Sequence, residues 1–415
     1  MLQIKPILAA LKRHKAGTLL IGLQIALTLA IVCNALFIIE QRVSNLSRST
    51  GIDENNLLIV QSAWTNATGA DIAPLVRADL QTLRQLPGVQ DVAVSYGYPL
   101  KGGGWNSGVN IKPDAQHDIA DSARFYADEH LLPVLGAKLI AGRNFRSDET
   151  RVTDSNALTS SAEVIVTKAL ADRLYPDGSV LGKPIYVGGG ASPSTVIGVI
   201  DQMQGPFNGG GAADFSDGYV LLEPTLLTDK SNAYLIRTKP GQLAAVTKVV
   251  RDALFKANRM RIIEDGVGED AGIRSFSEVR AQFYKSDRGL AWMMGVICVV
   301  LLGITAAGIV GLTSFWVGQR RKQIGVRRAL GATQHDIIGY FLTENLLISM
   351  AGVLVGTVLA LGLNLWLMKQ FEMARIAPGY VMAGLVVLLL LGQGAALAPA
   401  LRASRVPPVE ATRSV

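Results

Sequence analysis

The chain has 415 residues, of which 49% are hydrophobic, with a mean hydropathy of +0.30 and a formal net charge of +7. It is too apolar for an ordinary soluble protein and long enough for several domains. The basic balance does not imply a nucleic-acid partner, because residues 40–287 hold 25 basic and 29 acidic side chains and the excess lies in the apolar flanks.

Residues 1–16 set Ile4, Ile7, Leu8 and Leu11 at helical spacing beside Lys5, Lys12, Arg13 and Lys15, which predicts a helix lying against membrane lipid. Residues 17–39 form the first of four runs that reach the roughly 20 residues needed to cross a bilayer. The others fall within 288–317, 337–368 and 380–401. The first run is too long for a signal peptide, and Ile38-Ile39-Glu40 offers no small-residue cleavage site, so it is expected to stay as an anchor. Gln24, Thr28 and Asn34 inside it are expected to hydrogen-bond neighbouring helices. The only cysteines, Cys33 and Cys298, both lie in apolar runs, so the region between is expected to fold without disulfides.

Residues 40–287 read as a soluble α/β region. Strands are expected at 57–60 and 89–94 around a helix at 71–85, and again at 234–237 and 261–263 around a helix at 242–256. Between these two β-α-β units come strand candidates at 124–126, 164–166, 184–187 and 195–200 and a helix at 168–175. Two similar units bracketing a stretch of different texture predict a split α/β domain with a mostly β insert at about 116–205. The glycine triplets at 102–104, 188–190 and 209–211 lack the spacing and following Lys-Ser/Thr of a phosphate loop. His117 and His130 are too few and too isolated for zinc, and no serine has the context of a nucleophile elbow.

Residues 318–336 connect the second and third apolar runs with five cations, Arg320, Arg321, Lys322, Arg327 and Arg328, against Asp336. Such an excess in a short connection marks the cytoplasmic side, which places both basic termini there too. Ile324, Val326, Ala329 and Leu330 among these cations suit a short amphipathic helix, which Gly331 ends with positive φ. Thr333 and Asp336 have the spacing that caps a new helix. A rigid knob of this kind suits force transfer, whereas the plain alternative is a charged topogenic loop. Glu344 is the only acidic residue well inside an apolar run, where leaving it unpaired would be costly; a proton relay is one reading, and a partner on a neighbouring helix or the loop is the favoured one. Gly352 and Gly356 offer a small-xxx-small surface for helix packing, within the chain or in a dimer.

The run Arg320-Arg321-Lys322-Gln323-Ile324-Gly325-Val326-Arg327-Arg328-Ala329-Leu330-Gly331-Ala332, followed by Phe341-Leu342-Thr343-Glu344, resembles the signature of FtsX-like and MacB-like ABC transporter permeases. Gln323 stands where that signature has Glu. The ending from Pro399 to Ala411 also resembles the family's tail. The resemblance implies an α-helical membrane protein with four transmembrane helices and a large α/β periplasmic domain between helices 1 and 2, made of a porter part and an inserted sabre part. It implies that residues 320–332 are the coupling helix for a cytoplasmic ABC ATPase, with 402–415 a cytoplasmic tail and 369–379 a short periplasmic loop. With no ATP-binding motif in the chain, ATP and Mg are expected on a separate ATPase, with no cofactor bound here and no catalytic residue. A second permease, identical or paralogous, is implied, together with a periplasmic membrane-fusion adaptor and an outer-membrane channel if the system is of the tripartite export type. That type is favoured over lipoprotein extraction and cell-wall-hydrolase regulation, and a membrane-anchored sensor or an envelope hydrolase is the rival from outside the family. The expected location is the bacterial inner membrane.

Overall fold

A computed structural model describes residues 15–67, 69–113, 115–207, 218–266, 271–371 and 375–407. Expectations for the interfacial helix at 1–14, the triplet at 209–211 and the tail beyond 407 lie outside these residues. The chain divides into two compact units, Arg48–Lys285 and a second made of the segments on either side of it.

The first unit holds two sheets. Strands β1 (Leu57–Trp64) and β2 (Val89–Ser95) flank helix α1 (Ile72–Arg84), and β11 (Ser231–Thr238) and β12 (Arg261–Ile262) flank α2 (Leu243–Ala257). The sheet order is β12-β1-β11-β2, with β11 antiparallel to both β1 and β2. β1 and β2 therefore run parallel without touching, the interleaved arrangement of a split β-α-β fold. A further strand, β13 (Ile273–Ser275), also pairs with β1. α1 turns Ile72, Val76, Leu80 and Leu83 to this core and α2 turns Val246, Val250 and Leu254, each set at helical spacing.

This core also closes over a charge. Asp79 on α1 accepts from Arg261 Nη1 and Nη2 at 2.9 and 2.7 Å and from Tyr234 Oη at 2.6 Å. The two charged side chains are 1% and 0% exposed, so their mutual attraction must offset the loss of water. The Arg261 guanidinium also stacks 4.5 Å from the Trp64 ring. Burial, and then the Asp79 carboxylate, hold the Tyr234 phenol well above its ordinary pKa, so it remains a donor.

The second sheet contains β3 (Trp105–Asn110), β4 (Ala120–Ala127), β5 (Leu139–Gly142), β6 (Arg151–Thr153), β7 (Glu163–Thr167), β8 (Pro184–Val187), β9 (Ser194–Ile200) and β10 (Val220–Leu227). Its order, β4-β3-β8-β9-β7-β10-β6, is closed by a further pairing of β10 with β4. Six strands thus form a ring around Val109, Val164, Val166, Ile185, Val196 and Leu221. Where an insert is expected at about 116–205, the ring runs from Trp105 to Leu227.

Because both cores are made within 48–285, that fragment is expected to express as a soluble protein and unfold cooperatively without reductant sensitivity. Circular dichroism during thermal unfolding checks this, and a non-cooperative, helix-poor spectrum would count against it.

The second unit has four long helices, α3 (Lys15–Ser47), α4 (Lys285–Gln319), α6 (Gln334–Phe371) and α7 (Pro378–Ser404), with the short α5 (Arg321–Ala329) between α4 and α6. In the chain, α3 precedes the first unit. All four are long and apolar enough to cross a membrane. Their contacts use small residues. A Cβ on Gly352 would stand 2.8 Å from Gly22 O, and one on Gly356 2.8 Å from Ala26 O, so both glycines of α6 let the α3 backbone come close. The small-xxx-small face is thus occupied inside the chain. Thr28 Oγ1 lies 2.8 Å from Thr305 Oγ1, Gln24 Nε2 donates to Ile304 O at 3.0 Å, and Asn34 Nδ2 donates to Ala360 O at 3.1 Å. These are the interhelical bonds that the polar residues of α3 call for.

Candidate functional site

Helix α5 is short, and both of its ends are fixed. Arg320 is its N-cap, and at the other end Gly331 has φ +94°. Gly331 N donates to Arg328 O at 3.1 Å and Ala332 N to Arg327 O at 3.0 Å, the paired bonds of a Schellman stop. Only glycine adopts that φ cheaply, which accounts for its place in the run. Two residues on, a reciprocal cap starts α6. Asp336 N donates to Thr333 Oγ1 at 3.2 Å, while Thr333 N and Oγ1 donate to Asp336 Oδ2 at 2.9 and 2.6 Å. The chain reverses within four residues and leaves α5 as a defined knob.

The two faces of the knob differ. Ile324 is 4% exposed and packs with Ile337 and Phe341 of the α6 start, Ala400 and Ala403 of the α7 end, and Val406 just after it. Gly325 beside it is buried as well. Ile324 therefore holds α5 against its own chain. The apolar side chains left outward are Val326, 48% exposed, and Leu330, 83% exposed. Arg321, Lys322, Gln323, Arg327 and Ala329 are exposed around them, and Ala332 is partly buried at the turn.

The five cations do not share one task. Arg320 Nη1 donates to Glu344 Oε1 at 3.0 Å and Oε2 at 2.8 Å, and Glu344 is 2% exposed. The membrane acid is therefore paired, and its partner comes from the loop. Arg328 Nη1 donates to Val406 O at 2.8 Å and ties the helix to the residues after α7. The Arg327 guanidinium lies 4.9 Å from the Tyr340 ring, in a residue that is exposed as a whole. Outward charge is thus carried by Arg321, Lys322 and Arg327. The sequence pattern gives the helix, its stop and its cap, but Arg320 and Arg328 look the same as the other cations until the fold is seen. The outward side of α5 is an apolar pair among cations, and among the described residues no group of three or more His, Cys, Asp or Glu is placed to hold a metal ion.

Two family descriptions cover most of the chain. The FtsX-like permease C-terminal region matches residues 295–408, and the MacB-like periplasmic core domain matches residues 18–253. The macrolide export ATP-binding/permease protein MacB of Hahella chejuensis is 25% identical over 410 residues, which cover 97% of this chain and 58% of that protein. The protein of the same name from Chromobacterium violaceum is 26% identical over 282 residues, 67% of this chain and 41% of its own. An uncharacterized ABC transporter permease of Bacillus subtilis, YvrN, is 25% identical over 279 residues, 65% of this chain and 66% of its own. The chain spans about half the length of the MacB proteins it matches. Among solved structures, the periplasmic region of MacB from Actinobacillus actinomycetemcomitans is similar over 57% of this chain and 96% of its own, at 14% identity and a TM-score of 0.34. With four membrane-length helices, an α/β domain between the first and the second, and both matches in the same order, the chain belongs to the FtsX-like permeases of ABC transporters that carry a MacB-like periplasmic core domain.

Proposed function

We propose that this permease couples ATP hydrolysis by an ABC ATPase to movement of its 48–285 domain, with α5 as the element that the ATPase grips. The supporting observation is the two-faced knob: one side is fastened through Ile324 to the chain's own helices, and the other presents Val326 and Leu330 among Arg321, Lys322 and Arg327. A topogenic loop needs the cations alone and has no use for a Schellman stop or a reciprocal cap. ATP and Mg then belong to the ATPase, and this chain performs no chemistry. The cation excess supports a topology with the 318–336 segment and both termini in the cytoplasm, and residues 48–285 on the other side of a bacterial inner membrane.

Several relatives carry ATP-binding and permease functions in one protein, and some are named for macrolide export. Export of a drug, peptide or other envelope cargo, by a permease pair working with a membrane-fusion adaptor and an outer-membrane channel, is the reading that this similarity favours. The test is co-purification. The full chain should hold its ATPase in detergent, and Lys322→Glu with Arg327→Glu should weaken that association by about tenfold, because outward cations meet an acidic rim. Unchanged association would leave the loop as a topological anchor only.

A further inference from the structure

Arg320 occupies a joint among three helices. Its backbone N–H donates to Trp316 O at 3.1 Å, closing the last turn of α4, and its carbonyl accepts from Ile324 N at 2.9 Å, opening the first turn of α5. Its side chain reaches a third helix, where Nη1 meets both oxygens of Glu344 on α6, and its guanidinium lies 5.9 Å from the Trp316 ring. Arg320 and Glu344 side chains are 10% and 2% exposed. One residue therefore fixes where α4 ends, where α5 begins and how both sit against α6.

Docking alone does not explain this arrangement. The pair is buried while Val326 and Leu330 are exposed, and Ile324 with its apolar neighbours already fastens α5. A buried pair is a weak source of stability, since desolvation offsets most of the attraction, and in some proteins such pairs fix one geometry over others. The partner of Glu344 comes from the very residue that joins α4 to α5. At the far end of α4, Arg42 Nη1 of α3 donates to Asp287 Oδ1 at 2.8 Å, and Asp287 is 3% exposed. The least buried of the four long helices is thus held near each end by an acid–arginine pair.

We infer that the Arg320–Glu344 pair is a positioning pair for energy coupling: it passes displacement of α5 to α4 and α6, without itself forming the ATPase contact. This rests on the reading of α5 as the ATPase docking element, and the experiment separates the two.

The complex of full-length permease and ATPase is reconstituted in nanodiscs with Cys33→Ser and Cys298→Ser. Spin labels are placed at Gly289→Cys on α4 and Lys369→Cys on α6, both exposed, and their distance is measured with and without ATP plus vanadate. The informative variant is Arg320→Met with Glu344→Leu, which removes both charges and leaves none buried alone, so folding is expected to survive. The expected result is ATPase co-purification as in the parent, loss of the nucleotide-driven distance shift, and recovery of the shift in Arg320→Lys. A double variant that binds its ATPase and still shows the full shift overturns the inference, as does one that loses the ATPase, because the pair would then shape the docking surface. A parent chain that never binds an ATPase overturns the reading of α5 instead.

Discussion

Asp79→Ala is expected to destabilise the 48–285 fragment by about 3–5 kcal/mol, the usual cost of removing one member of a buried ion pair. The magnitude follows from what stays behind. Arg261 would keep its charge at 0% exposure with only the Asn258 carbonyl, 2.8 Å from Nε, and the Trp64 ring for company, and the Tyr234 hydroxyl would lose its acceptor. The joint replacement Asp79→Leu with Arg261→Met should be much milder, since no lone charge remains. Urea unfolding of the three fragments measures both. A loss under about 1 kcal/mol for Asp79→Ala, the range of exposed pairs, would mean that water reaches the pair in solution.

The second large effect concerns the outward face of α5. Val326→Glu with Leu330→Glu should reduce ATPase association by at least about a hundredfold, because an apolar centre ringed by charge carries most of the energy of such a contact. Neither residue belongs to the Ile324 cluster, so membrane insertion and the thermal stability of the permease alone should not change. Pull-down from detergent extracts at equal permease levels gives the ratio. Retention of the ATPase by this variant would move the contact elsewhere on the chain.

Much of this architecture is legible in the sequence, for physical reasons that differ by region. Four apolar runs leave little choice about the membrane helices, although α3 continues to Ser47, past the point where its apolar run stops, because Glu40, Gln41 and Arg42 are good helix formers. The split domain follows from two β-α-β patterns. Strand β10 does not: Glu223 and Pro224 in its middle argue against a central strand, yet Glu223 is 0% exposed and is satisfied by Arg124 Nε at 2.7 Å and Ser161 Oγ at 3.0 Å. Those partners lie 99 and 62 residues away, so no local pattern could announce them.

The site divides in the same way. Gly331, Thr333 and Asp336 act within their own turn, and their roles follow from spacing. Whether Ile324 faces in or out, whether Arg328 holds a tail carbonyl, and whether Gly352 and Gly356 meet α3 or a second copy depend on which helices surround them. That information is tertiary. An amphipathic pattern shows that α5 has two faces without saying which one is free.

The most direct test uses that difference in faces. A photo-crosslinking amino acid is placed at Leu330, which is 83% exposed, or at Ile324, which is 4% exposed, in the full-length chain expressed with its ATPase. If α5 docks the ATPase with the face described here, irradiation gives a permease–ATPase adduct from position 330 and none from position 324. An adduct from 324, or its absence from 330 in a complex that still co-purifies, would contradict the account.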